Sequence, residues 1–295
     1  MKFFQKLSQI DRRWIYLLVA LAVIVPLMAR MGLPDAPGKY SLQLFDAVDR
    51  IPPRSQPVLI SADYSPSMMP ELHPMFMAMA RHCLARKVRL MVMTLDPTGA
   101  GLAENGLRQI TDEINARAGS AADSAVYGRD YVFLGYKPGT AIVMMSIGEN
   151  IRQAYPADAY GTPLDSLPMM RDVRNYADIP LVNCIAGSAV LNYWIVYAGA
   201  RYRARVGGGS TAVSSADYYP FLQSGQMVGL LNGMKGASDY EFLNQQRGYS
   251  SAPRVAGKGM DAVSIVHLLI MGFIVLGNVG YFVTKKSAQQ KAGEE

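Results

Sequence analysis

The amino-acid sequence predicts a doubly wound, mostly parallel α/β sheet with an apolar helical segment at each end of the chain. Three observations carry this prediction. Short apolar runs alternate with helical patterns through five or six cycles between residues 57 and 245, one of these cycles is a complete β-α-β unit, and the most hydrophobic stretches lie outside them.

The β-α-β unit occupies residues 57–95. Val58-Leu59-Ile60-Ser61-Ala62 is a short apolar run, and it stops at Asp63-Tyr64-Ser65-Pro66-Ser67, turn formers in which Pro66 opposes continuation. Pro70 and Glu71 suit the first turn of a helix. Leu72, Met75, Phe76, Met79, Ala80 and Cys83 then share one helix face by their spacing, and that face requires a sheet to cover it. Residues 88–95 are nearly continuous in apolar side chains, as in a parallel strand buried on both faces, and Asp96-Pro97-Thr98-Gly99 ends them.

The remaining cycles follow in order. Residues 101–118 read as a helix with Leu102, Leu107, Ile110 and Ile114 inward, 131–136 as a third strand, and 140–154 as a helix capped by Thr140. A loop at 161–170 precedes a fourth strand at 179–185 and a helix holding Val190, Leu191, Trp194, Ile195 and Ala198. Residues 204–206 read as a brief fifth strand followed by a glycine-rich turn, 217–223 as a short helix, 227–231 as a sixth strand and 236–244 as a last helix. Nothing repeats at a fixed 20–50 residue period, which argues against a solenoid.

At 295 residues the chain accommodates one large α/β domain, and the remainder lies at the two ends. A mean hydropathy of +0.09 is high for a soluble enzyme because of those ends. Residues 14–29 are apolar, extended past Arg30 by Met31-Gly32-Leu33, with Trp14 and Tyr16 at the position of an interfacial belt and Pro26 near the far end. Residues 27–32 make a poor cleavage site, which favours an uncleaved membrane helix over a signal peptide. Residues 263–283 form the cleaner segment, with His267 and Asn278 as its only strongly polar members. The expected organisation is an anchor at 1–33, a proline-containing tether at 34–56 that lies on the domain with one small helix around Leu42, Leu44, Phe45 and Val48, the domain at 57–245, a second tether at 246–262, a membrane helix at 263–284 and a polar tail at 285–295.

Much of the formal charge of +6 flanks these segments. Lys2, Lys6, Arg12 and Arg13 precede the first, while Lys285, Lys286 and Lys291 follow the second, which predicts two cytoplasmic termini and a periplasmic or extracellular domain. The middle has no Lys/Arg run with interleaved aromatics, so no nucleic-acid partner is expected. Expected partners are the lipid bilayer and other membrane proteins, a second copy included. Cys83 and Cys184 make no disulfide framework and read as small buried hydrophobes, with a single disulfide as the alternative outside the cytoplasm.

Ligands of an open parallel sheet bind at the carboxyl ends of its strands. The loops expected there are Asp63-Tyr64-Ser65, Asp96-Pro97-Thr98, Gly135-Tyr136, Gly187-Ser188 and Gly207-Gly208-Gly209-Ser210. The glycine run lacks the lysine of a phosphate loop, and no G-x-G-x-x-G follows the first strand. Ser61, Ser65 and Ser188 lie in no G-x-S-x-G, and neither H-E-x-x-H nor C-x-x-C occurs, so no catalytic residue, cofactor or metal is assigned. Asp63 and Asp96 read either as ligand-orienting carboxylates, or an acid/base pair, or as caps of their own turns. On the second apolar segment, Gly272, Gly277 and Gly280 with the amide of Asn278 mark an interface for another helix.

Four stretches carry a resemblance: Leu59-Ile60-Ser61-Ala62-Asp63-Tyr64-Ser65-Pro66, Tyr131-Val132-Phe133-Leu134-Gly135-Tyr136-Lys137-Pro138-Gly139, Ser224-Gly225-Gln226-Met227-Val228-Gly229-Leu230 and Lys235-Gly236-Ala237-Ser238-Asp239-Tyr240-Glu241. With an apolar segment at each end, the chain resembles a group of uncharacterised bacterial membrane proteins with a Rossmann-like domain between two transmembrane helices. The resemblance implies an architecture and no activity. The order of strands is similar to that of periplasmic sugar-binding and other Rossmann-like domains, in fold alone. The leading functional expectation is a non-catalytic membrane-anchored subunit or scaffold. The alternative is a small-molecule binding or sensing domain, and an enzyme ranks third.

Overall fold

The computed structural model describes residues 11–29, 31–33 and 36–292, so Lys2, Lys6, Arg30 and Pro34 lie outside the described residues. The chain divides into two units, one of residues 35–257 and one of residues 1–34 with 258–295.

The first unit is built on six strands, β1 (Val58–Asp63), β2 (Leu90–Thr94), β3 (Tyr131–Tyr136), β4 (Val182–Ala186), β5 (Val206–Ser210) and β6 (Met227–Asn232). All are parallel, in the order β3-β2-β1-β4-β5-β6. The chain starts at the centre, winds outward to β3, crosses back to β4 and winds outward again, which is the Rossmann-like doubly wound plan.

With α1 assigned to Arg12–Met28, the helices of this unit are α2 (Lys39–Asp49), α3 (Met69–Ala85), α4 (Ala100–Asn115), α5 (Thr140–Glu149), α6 (Ile151–Ala154), α7 (Val190–Tyr193), which continues as a π-helix over Trp194–Ala200, α8 (Tyr219–Gln223) and α9 (Gly233–Gln246). Strand side chains alternate between two cores. Ile60, Val92 and Ile185 face Leu44, Met75 and Tyr240 from α2, α3 and α9, whereas Leu59, Met91 and Cys184 face Met144, Leu191 and Trp194 from α5, α7 and the π-helix. Both faces are covered, which is why the strands read as continuous apolar runs rather than alternating ones.

Three expectations are corrected. Gly207, Gly208 and Gly209 lie inside β5, not in a loop after it, and Ser210 is its last residue. A Cβ at these glycines would come within 2.5 Å of Leu44 Cδ1, 2.6 Å of Leu191 Cδ2 and 2.6 Å of Met75 Sδ, so helices from both faces approach this strand too closely for side chains. The stretch at 34–56 contains the small helix expected around Leu42, Leu44, Phe45 and Val48, as α2, but Leu44, Phe45 and Val48 are fully buried core rather than part of a tether. The second tether is also shorter, because the final helix α10 spans Val255–Ala292.

In the second unit, α10 carries a stretch at Val255–Phe282 that is the one helix among the described residues long and apolar enough to cross a membrane. α1 has 17 residues, a length of about 26 Å at 1.5 Å per residue, short of a hydrocarbon core of about 30 Å. The expected pair of clear membrane helices is therefore reduced to one. Asp261 on α10 accepts hydrogen bonds from the N–H groups of Gly32 at 3.0 Å and Leu33 at 3.1 Å, just beyond the end of α1.

Candidate functional site: the strand ends and the α9 clamp

The sheet reverses its winding between β1 and β4, and the carboxyl ends of those strands define the crevice where this fold binds ligands. Asp63 ends β1 there, with its side chain buried. Its Oδ1 accepts from Leu95 N–H at 2.6 Å and the Thr94 hydroxyl at 3.4 Å, and its Oδ2 from the Ser61 hydroxyl at 2.6 Å and the Cys184 thiol at 3.5 Å. One carboxyl thus joins β1 to the neighbouring strand on either side. Burial pushes its pKa from 3.8 up to about 6, against the four hydrogen bonds that pull it down. The Cys184 thiol is raised by burial and by the charge of Asp63, which leaves it a hydrogen-bond donor rather than a nucleophile.

The chain itself lies over part of this crevice. A Cβ at Gly187 would lie 1.9 Å from the Met68 sulfur, so that thioether rests on the turn after β4. A Cβ at Gly99 would lie 2.8 Å from the Ala62 carbonyl oxygen, which places the start of α4 against the end of β1. Tyr64 is buried and bonded to His73 Nδ1 at 2.9 Å, and the Ser65 and Ser67 hydroxyls pair at 2.8 Å. Asp96 accepts from the N–H of Thr98 at 2.8 Å and from its hydroxyl at 2.7 Å, a cap of its own turn. Gly135, at φ +77°, and the exposed Tyr136 end the edge strand β3, while Ser188 is exposed in the turn after β4. Ser210 is buried and paired with the Ser215 hydroxyl at 2.8 Å. The structure therefore brings Asp63 and the Gly187 turn to the crevice and removes the glycine run from it.

A second set of polar groups gathers on α9. Asp239, buried, accepts from Gly38 N–H at 2.9 Å and pairs with Lys235, whose Nζ also donates to the Ala36 carbonyl at 3.0 Å. Two residues on, Glu241 takes the N–H groups of Val255, Ala256 and Gly257 at 3.1, 3.2 and 3.1 Å. These are orphan donors at the start of α10, and a carboxylate is the favoured partner at a helix N-terminus. Burial raises the pKa of Glu241 against those bonds. Arg254 Nη2 adds a bond to Ser238 Oγ at 3.1 Å. The segments at both ends of the α/β unit are thus fastened to one helix. Glu241→Ala is expected to speed tryptic cleavage after Arg254 several-fold, read as the rate of appearance of the 255-start fragment; an unchanged rate would show the carboxylate to be dispensable.

Between Asp239 and Glu241, Tyr240 takes part in a buried relay. His82, fully buried, has Nδ1 2.9 Å from the Tyr240 hydroxyl and Nε2 3.3 Å from Asp49 Oδ1, which also accepts from Tyr249 at 2.7 Å. Asp49 can only accept, so Nε2 carries the proton and Tyr240 donates to Nδ1. Burial holds the His82 pKa down to about 4, against the pull of Asp49. The order Tyr, His, carboxylate is that of a nucleophilic triad, but the Tyr240 side chain is sealed in the core and its pKa is raised by burial, so the relay joins α9, α3 and α2. On α10, a Cβ at Gly272, Gly277 or Gly280 would meet nothing within 4 Å, and Asn278 is exposed.

Among the described residues no three His, Cys, Asp or Glu side chains are placed to share a metal ion. Fold and site together define a Rossmann-like α/β protein in which Met68 lies over the Gly187 turn of the crevice and both ends of the α/β unit are clamped on α9. No family profile, curated protein or solved structure matches the chain.

Proposed function

We propose that the chain is a non-catalytic membrane-anchored subunit, a scaffold whose α/β domain and apolar helices bind other membrane proteins. The clamp on α9 carries this reading. Asp239 and Glu241 secure the segments at both ends of the α/β unit, and the described sequence beyond each contains an apolar helix. Fastening both ends to one element suits a domain anchored on both sides. The basic residues Arg12 and Arg13 in the first turn of α1 and Lys285 after the apolar stretch of α10 favour a two-pass topology with both termini in the cytoplasm, and the resemblance to bacterial membrane proteins favours an inner membrane with the domain on its periplasmic side.

The second reading is a small-molecule sensor at the strand ends. Asp63 supports it as a desolvated carboxyl with a pKa of about 6 at the reversal of the sheet. It requires Met68 to move off Gly187, and for that reason it ranks second.

A reporter active only in the periplasm, inserted at the exposed Gly119, is expected to be active. Activity confined to fusions at the two termini would invert the topology. A metabolite screen by melting separates the two readings, since a ligand at 100 times its dissociation constant adds about 2.7 kcal/mol. The scaffold reading expects no such shift.

A further inference from the structure

Every polar side chain in the apolar run 263–283 falls on one line along α10. Ser264, His267, Asn278 and Tyr281, with Met271 and Ile274 between them, follow one another at steps of three, four, three, four and three residues. At about 100° per residue these six positions stay within a sector of about 100°. They are six of twenty-one positions, yet they hold all four polar side chains, while Gly272, Gly277 and Gly280 fall outside the sector. The chain does not cover this line: Met271, Ile274 and Tyr281 are 53%, 57% and 60% exposed, and His267 and Asn278 are exposed as well.

We propose that a second copy of this chain packs along this line, α10 against α10 in a parallel pair. The proposal rests on the reading of α10 as a membrane helix. Hydrocarbon offers an amide or an imidazole no partner, so such groups turn toward other helices. Alternating steps of three and four residues are the seam of a left-handed helix pair, the commonest crossing in membranes. The chemistry of the seam selects the occupant. A hydroxyl, a neutral imidazole, an amide and a phenol each carry both a donor and an acceptor. Each can therefore bond to its own copy across a twofold axis, where like residues meet. A charged side chain would repel its copy, and the run holds none.

The test uses the full chain in its native membrane. Met271→Cys and Ile274→Cys lie on the line, Leu269→Cys and Leu276→Cys on the opposite face, and the native Cys83 and Cys184 are buried. Mild oxidation is expected to give disulfide-linked dimers from the first two at least ten times more efficiently than from the second two. Adding His267→Leu with Asn278→Leu to Met271→Cys should abolish that dimer, and Asn278→Gln should retain it. Equal cross-linking from both faces, or none from either, would overturn the proposal. Loss of a larger assembly in the double-leucine variant without any line-specific dimer would assign the line to a different protein and overturn it equally. Alkaline carbonate keeps the two readings apart. Release of the wild type would refute the membrane reading and the pairing with it, whereas retention without line-specific cross-links would refute the pairing alone.

Discussion

Asp63→Asn is expected to make the protein more stable than the wild type at pH 7 and to leave it acid-labile. The ordinary carboxyl value of 3.8 and the folded value of about 6 mean that the folded chain holds this proton more tightly than the unfolded one. The contribution of Asp63 to stability is therefore full below pH 3.8 and is lost as pH rises through 6, a penalty of about 3 kcal/mol at pH 7. An amide carries no such penalty, and its oxygen can still accept from Leu95 N–H. His82 works in the opposite sense. Its value falls from 6.5 unfolded to about 4 folded, so its contribution is full above pH 6.5 and is lost as pH falls toward 4. The downward shift of His73, caused mainly by burial, has the same sign. In the wild type the carboxyl and the imidazole largely offset each other between pH 7 and pH 5. With Asn at 63 that offset is lost, and stability should fall by up to about 2 kcal/mol over that interval through His82, with Glu241, whose carboxyl is also raised by burial, working in the opposite sense. Urea denaturation at pH 7, 6 and 5 checks both parts. Asp63→Ala should be less stable than Asp63→Asn by about 1–3 kcal/mol, because the Leu95 N–H loses its partner. If the asparagine variant is instead less stable at pH 7, the carboxylate is held ionised for another purpose, and the sensor reading gains.

The β-α-β unit was legible because its signals are local. Helical spacing from Leu72 to Cys83 and turn formers at 63–67 and 96–99 give elements whose limits agree with the structure within a few residues. The glycine strand was not legible, since three glycines signal a turn when read locally. Only the packing of Leu44, Leu191 and Met75 against them makes a strand without side chains favourable. The short helix α2 was legible from Leu42, Leu44, Phe45 and Val48, but its place in the core was not, because the flanking prolines read as a tether. The relay of Tyr240, His82 and Asp49 spans separations of 158 and 33 residues, beyond any spacing rule. At the strand ends the position of Asp63 could be read from the sequence, but its four donors could not. Only Ser61 is local; the others arrive from the end of the next strand in the chain and from a strand more than a hundred residues away. The motif from Lys235 to Glu241 stood out by resemblance alone; its contacts show Asp239 and Glu241 fastening the two ends of the α/β unit and Tyr240 bonding to the core histidine.

The largest loss of stability is expected from Gly229→Ala. A Cβ on this residue of β6 would lie 2.6 Å from the Leu44 N and 2.6 Å from the Tyr40 carbonyl oxygen, both backbone atoms of α2. A side chain can rotate out of such an overlap, but a helix backbone has to move as a body. Overpacking in cores typically costs about 1–3 kcal/mol and more where the backbone must give. Here the displacement would lift Leu44, Phe45 and Val48 from the core together, so a loss of about 3 kcal/mol or more is expected. Gly208→Ala meets the Leu191 side chain at 2.6 Å, and because that side chain can change rotamer its loss should be smaller. Gly101→Ala, in α4 with nothing within 4 Å of the new Cβ, should gain about 0.5–1 kcal/mol from helix propensity. Urea denaturation followed by the fluorescence of the buried Trp194 gives the ranking. Should Gly229→Ala prove no worse than Gly208→Ala, α2 must be able to slide on β6 without loss, and its place as a core element rather than a tether would be refuted.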